Sequence, residues 1–235
     1  MTGAEFIAAV AALHRAGAED DLCGPFLSVL PVTSVAISTL GDPLGSETVC
    51  ASDSTAARLE EIQLDLGEGP CWEAVRTGRP VLEPDLQRSR SAGWPVALTA
   101  LRDARLGAVF AFPIRFGTID IGAVDLYHRE AAAFPEGAVE DATVLAEAVA
   151  RQVLRRALAG VDDALQGHSQ DGNPYSRREV YQASGMLAAQ TGAGPSDALL
   201  LLRAHAYAAG RPVRDLARDV IARDVDFTDH TDSAR

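Results

Sequence analysis

The chain has 235 residues, 47% apolar and 23% charged, with a formal net charge of −12, which suits a folded protein with one large domain or two small ones. No apolar run approaches the roughly 20 residues that span a bilayer, and Met1-Thr2-Gly3-Ala4-Glu5 lacks the basic start of a signal peptide. Cys23, Cys50 and Cys71 are widely spaced without a CxxC, so neither a disulfide framework nor a zinc site is indicated; the expected location is the cytoplasm.

In chain order, Phe6, Ile7, Val10 and Leu13 share one side of an amphipathic helix over 4–14. Val35 and Ile37 alternate in a strand that ends at Leu40 and is broken by Gly41-Asp42-Pro43. A second strand fits Glu47 to Ala51. Ser52-Asp53-Ser54 is a helix start for Ala56–Leu64. After the loop Gly67-Glu68-Gly69-Pro70, a helix runs to Arg76 and closes at Gly78, with Pro70 suited to its first turn. Arg79-Pro80-Val81-Leu82 begins a strand, and Trp94 to Arg102 reads as helix. Ala108–Phe116 and Ile119–Tyr127 form a hairpin with Gly117-Thr118 at its tip.

A long helix follows from about Pro135 to Leu165. Its residues Leu154, Leu158, Val161 and Leu165 step by 4, 3 and 4, the spacing of a coiled-coil seam. That stripe either packs on its own sheet or forms a homodimer, and the dimer is the preferred reading. Polar residues 167–174 separate it from three short helices, Tyr175–Gln190, Ser196–Ala209 and Val213–Arg223. Ser196 and Asp197 are expected to cap the second helix, and Gly210 to follow its end. Val180, Ala183, Leu187, Ala198, Leu201, Leu202, Ala206, Leu216, Ala217, Val220 and Ile221 recur at helical spacing as their shared core. The expected layout is 1–166 as an α+β sheet domain with helices on one face and a long exit helix, 167–174 as linker, 175–225 as an all-α three-helix bundle, and 226–235 as an acidic, disordered tail.

Charge is divided unevenly. Before residue 174 there are 13 Arg and 25 acids, a balance of −12, whereas residues 174–223 carry 7 Arg and 4 acids, a balance of +3. Every basic residue is arginine, whose planar fork pairs with phosphate and stacks on bases.

Four pieces in the last 60 residues resemble the ANTAR family of RNA-binding antitermination modules. They are Arg178-x-Val180-x-Gln182-Ala183-Ser184-Gly185-Met186-Leu187, Ser196-Asp197-Ala198, Leu202-Arg203-x-x-Ala206 and Val213-Arg214-Asp215-Leu216-Ala217. Leu66-Gly67-Glu68-Gly69-Pro70-Cys71-Trp72-Glu73-Ala74-x-x-Thr77-Gly78-Arg79-Pro80-Val81, with the Phe112-Pro113 … Ile121-Gly122-Ala123-Val124-Asp125-Leu126-Tyr127 hairpin, is similar to a GAF domain. Together they resemble the GAF–ANTAR arrangement recurrent in actinobacteria.

The resemblance implies a signal-controlled, non-enzymatic antiterminator that grips paired RNA hairpin loops in nascent transcripts as a homodimer. Arg178, Gln182 and Gly185 fall at i, i+4 and i+7 on one helix face; with Ser184, Arg203, Arg211 and Arg214 they are the candidate RNA-binding residues, able to hold phosphates and read loop bases. Ser184 stands where the family usually has lysine, removing a charge from that face. His205, at a position usually apolar, reads as partly buried. In the GAF-like part Cys71 and Trp72 are candidate sensor residues. Each also reads as core, and the helix start at Pro70 would lower the Cys71 pKa. No metal and no defined cofactor are expected, only an unidentified small-molecule ligand, since His14, His128, His168, His205 and His230 are isolated and the lysine-containing pattern of cyclic-nucleotide-binding GAF domains is missing. Two rivals are a DNA-binding regulator, disfavoured by Asp215 and Asp219 beside Arg214 and Arg218, and a ligand-binding protein whose tail only dimerises.

Overall fold

The structure, a computed structural model, describes residues 2–41, 44–165 and 175–227, with the backbone alone over 160–165. The chain divides into two compact units, Met1–Tyr175 and Ser176–Arg235.

The first unit begins with α1 (Gly3–Arg15), held by a capping box in which Thr2 and Glu5 satisfy each other's backbone N–H. A short α2 (Gly24–Val29) follows; it has too few turns to show a helical period in the sequence. Next come β1 (Ser34–Thr39), β2 (Glu47–Ala51), α3 (Ser54–Leu66), α4 (Pro70–Thr77), β3 (Val81–Glu83), α5 (Pro95–Asp103), β4 (Ala108–Phe116), β5 (Ile119–His128) and α6 (Glu136–Leu165). Asp53 caps α3 by accepting from the N–H of Thr55 and Ala56 at 2.8 and 2.9 Å. Gly67 and Gly78 end α3 and α4 in the left-handed conformation.

The five strands form one antiparallel sheet in the order β2-β1-β5-β4-β3. Helices cover both of its faces, not one. Val35, Ile37, Phe110, Phe112, Val124 and Leu126 pack with α1, α2 and α6. The alternate residues Ala36, Val109 and Tyr127 pack with α3 and α5, while Leu40 and Ala123 meet Cys71 of α4. The sequence signal lay in β1, buried at every position, as a strand covered on both sides must be.

Cys23 and Cys50, 27 residues apart, form a disulfide joining the start of α2 to β2. This corrects the expectation drawn from cysteine spacing: β2 pairs with β1 so that Cys50 lies beside Ile37, and Cys23 at the start of α2 packs in the same core as Ile37, which spacing alone cannot show. In the α6 stripe, Leu154 packs on the first core while Leu158 is 54% exposed. The side chains of Val161 and Leu165 lie outside the described residues, as do Asp42-Pro43, the expected linker 167–174 and residues 228–235 of the expected tail.

Among the described residues the second unit has three helices, α7 (Arg178–Thr191), α8 (Pro195–Ala208) and α9 (Val213–Ala222). Its core is the expected one, with Val213 and Phe227 added and Leu201 and Ile221 only partly buried. Pro195 opens α8 after Gly194, and no side chain caps it, so the cap expected from Ser196 and Asp197 does not form. Among the described residues no helix is long and apolar enough to cross a membrane.

Candidate nucleic-acid interface and sensor cluster

On α7, Arg178, Gln182 and Gly185 are exposed, and a Cβ added at Gly185 would meet nothing within 4 Å. Ser184 is instead turned inward: it is 6% exposed and its hydroxyl donates to the Pro195 carbonyl at 3.3 Å. The physical reason is visible in the spacing, since Val180, Ser184 and Leu187 step by 4 and 3 and share the buried stripe.

The arginines divide by partner. Arg214 is half-buried, donating to Glu179 Oε1 at 2.8 Å and to the Ser176 carbonyl at 2.9 Å, which ties α9 to the start of α7. Arg218 pairs with Asp215 at 2.8 Å and reaches Glu179 at 3.6 Å. Arg211 is exposed and paired with Asp219 at 2.7 Å. Arg203 on α8 is half-buried. His205 is half-buried as expected, its Nδ1 3.0 Å from the Leu201 carbonyl and its ring edge-on to Phe227 at 4.6 Å.

In the first unit the residues from Glu68 to Glu73 are largely scaffold. The Glu68 carboxylate accepts from the N–H of Val96 and Ala97 at 2.6 and 2.8 Å and so caps α5. Glu73 accepts from the Trp94 indole at 2.6 Å. Trp72, half-buried, donates to the Gln63 carbonyl at 3.0 Å. Gly69 has φ +145°, and a Cβ there would lie 2.4 Å from Gln63 Oε1, so only glycine lets that side chain pass.

Gln63 leads into a buried polar cluster that reading the sequence missed. Its Oε1 accepts from the Cys71 N–H at 3.2 Å, and its Nε2 donates to Asp125 Oδ2 and to the Tyr127 hydroxyl, the latter at 3.1 Å. The Tyr127 hydroxyl donates to Glu60 Oε2 at 2.8 Å and lies 3.2 Å from Asp125 Oδ2. Glu60, Gln63, Cys71, Asp125 and Tyr127 are all 1% exposed or less. Burial pushes the Asp125 carboxyl well above the usual carboxylate range, and Glu60 beside it adds to the effect. Burial likewise raises Glu60. The Cys71 thiol is pushed well up by burial and then by Asp125 and Glu60. This reverses the expectation of a lowered thiol pKa: desolvation and two carboxyl groups outweigh the helix start. One signal could have found the cluster, a carboxylate at Asp125 inside the apolar run Ile121-Gly122-Ala123-Val124 … Leu126-Tyr127.

A sheet domain with a polar cluster beneath its helices is followed by a three-helix unit whose Arg178, Gln182 and Arg211 are exposed. The GAF domain family matches residues 28–153 and the ANTAR domain family residues 175–221. The chain belongs to the GAF family and is a GAF–ANTAR protein; these are sensory and regulatory domains rather than catalytic ones, and ANTAR is a family known for RNA binding.

Solved structures resemble this chain at low identity. The GAF domain of an Acinetobacter phosphoenolpyruvate-protein phosphotransferase is 12% identical over 68% of this chain and 97% of its own, with a TM-score of 0.50. A type II free methionine-R-sulfoxide reductase from Thermoplasma acidophilum is 19% identical over 64% and 96%, with a TM-score of 0.44. The chromophore-binding domain of an unusual bacteriophytochrome from R. palustris is 11% identical over 67% and 61%, with a TM-score of 0.49. No curated protein matches the chain.

Proposed function

We propose that this protein is a signal-controlled transcription antiterminator of the cytoplasm. In this reading residues 1–166 sense the signal, residues 175–225 grip paired hairpin loops of nascent transcripts, and a homodimer through α6 presents two such modules to two loops.

One observation carries the reading: the exposed face of α7 holds Arg178, Gln182 and Gly185 together. A glycine inside a helix costs about 0.5–1 kcal/mol relative to alanine. Gly185 has no neighbour within 4 Å to require it, which supports close approach of something external. Arg178 and Gln182 beside it supply a phosphate-binding fork and an amide that reads base edges. Arg211 flanks as a second phosphate contact, because an exposed ion pair such as Arg211–Asp219 is worth only about 0–1 kcal/mol and exchanges readily. Arg203 contributes from α8. Ser184 and Arg214 serve the fold instead.

The test is selection of bound RNAs from a structured hairpin library with the full chain, repeated with Arg178→Ala/Gln182→Ala. Enrichment of paired loops, lost in the variant, is the expected result. Preference for duplex DNA at matched salt, or cross-links that map only before Gly167, would overturn the reading.

A further inference from the structure

The buried cluster holds more acidic groups than its hydrogen bonds satisfy. Glu60 from α3, Cys71 from α4 and Asp125 from β5 place their ligand atoms within 4.8 Å of one another. All three residues are 1% exposed or less. Gln63 and Tyr127 occupy Asp125 Oδ2, whereas Asp125 Oδ1 is buried with no hydrogen-bond partner. Native interiors seldom leave a carboxylate oxygen in that condition unless an ion or water belongs there.

We propose that Glu60, Cys71 and Asp125 form a binding site for a single first-row divalent transition-metal ion. A thiolate selects against Mg²⁺ and Ca²⁺, and two carboxylates keep Fe²⁺, Co²⁺ and Zn²⁺ in range. Metal–sulfur and metal–oxygen bonds of about 2.3 and 2.1 Å set tetrahedral ligand atoms roughly 3.5 Å apart, so a contraction of about 1 Å closes the site. The Tyr127 hydroxyl oxygen, next to Glu60 and Asp125, can complete it. Binding releases to solvent the thiol proton and any proton held between the Glu60 and Asp125 carboxyl groups, and it joins α3, α4 and β5 through one ion. The second cluster of this kind among the described residues, Asp21 with Cys23 and Cys50, is excluded because its two sulfurs are bonded to each other. The site lies within the first unit, and its test does not depend on RNA binding.

The full chain, stripped with chelator and kept non-reducing, leaves Cys71 as the free cysteine. Titration with Co²⁺ is expected to saturate at one ion per chain with near-ultraviolet thiolate-to-cobalt absorption. Zn²⁺ should displace it and Mg²⁺ should not. C71S is expected to abolish the absorption. D125N and E60Q are each expected to retain the absorption at saturation but to weaken binding at least about tenfold, since even outer-shell changes cost roughly 10- to 100-fold. A folded wild-type protein without the absorption, or absorption that survives C71S, overturns the proposal. Where C71S does not fold, unchanged Co²⁺ affinity in both D125N and E60Q overturns it instead.

Discussion

The two units of this chain solve the burial problem differently. The N-terminal unit fully buries Trp94, Tyr127, Phe26, Phe110 and Phe112, large side chains that each remove much apolar surface from water. The C-terminal core has eleven buried residues, of which four are alanine and one, Phe227, is aromatic. Small residues let three helices approach closely but bury little area, and stability follows area. The placement of polar groups differs too. The N-terminal unit shuts Glu60, Gln63 and Asp125 inside, whereas the C-terminal unit leaves Arg178, Gln182 and Arg211 outside. The proposed function fits that division: an enclosed polar site in the first unit and a small, polar-surfaced platform in the second.

The comparison breaks most visibly under core truncation. Leu202→Ala is expected to cost about 2–5 kcal/mol, as much as the roughly 3–5 kcal/mol that so small a core supplies. Helices α7–α9 should then lose their amide protection while the sheet keeps its own. Phe110→Ala removes a ring 4.5 Å from Phe134 at about 3–5 kcal/mol, yet the larger unit should remain folded with a lower melting temperature. Hydrogen exchange read by mass spectrometry distinguishes the two. Retained protection in α7–α9 of Leu202→Ala would show that the C-terminal core is stronger than its composition implies.

A subtler change tests the enclosed polarity. Tyr127→Phe keeps the packing but removes the hydroxyl that bonds Glu60 and Gln63. The expected loss is about 1–3 kcal/mol, the cost of leaving buried polar groups unsatisfied. An unchanged urea midpoint would mean that the cluster contributes nothing to the fold.

What could be read from the sequence follows from how local each signal is. Nearly all the sheet and helix boundaries were legible because they rest on neighbours: Gly78 after α4, Pro70 at its start, Gly117-Thr118 at the hairpin tip. Ser184 lies on the buried stripe, as its step of four from Val180 dictates, although its place in the motif points to the RNA face. Apart from the carboxylate at Asp125, the polar cluster was hard to read because the hydrogen bonds that join α3 to β5 span 62 to 67 residues. On α3, Glu60 looks like any solvated helix carboxylate until strand β5 is laid against it. The same holds for Cys23 and Cys50, which meet only once α2 packs on the sheet.

On the C-terminal side, Arg214 and Glu179 fasten α9 to α7. Arg214→Ala should cost about 1 kcal/mol, at the upper end for an ion pair with some exposure. Burial, the largest single influence, pushes Glu179 up, but the Arg214 hydrogen bond, the helix-end N–H and the charges of Arg214 and Arg218 together hold it below the usual range. Its folded pKa is therefore lower than its unfolded one. The stabilisation is whole above the ordinary glutamate range and fades as pH falls through the lowered folded value. Urea midpoints across that acid range should flatten in Glu179→Gln; an equally steep fall in both proteins would place the acid sensitivity elsewhere.

The smallest change separates stability from contact. Gly185→Ala adds one methyl group into open space on α7. By helix propensity alone it should stabilise the C-terminal unit by about 0.5–1 kcal/mol. If RNA approaches the backbone there, the same methyl should weaken hairpin binding, so the two readouts move in opposite directions. A destabilising mutation weakens both, and one at a site of no consequence leaves binding alone. Tighter melting with weaker hairpin affinity would therefore mark Gly185 as a position kept small for a partner. Improved stability with unchanged affinity would remove the α7 face from the RNA interface and shift attention to Arg203 and Arg211.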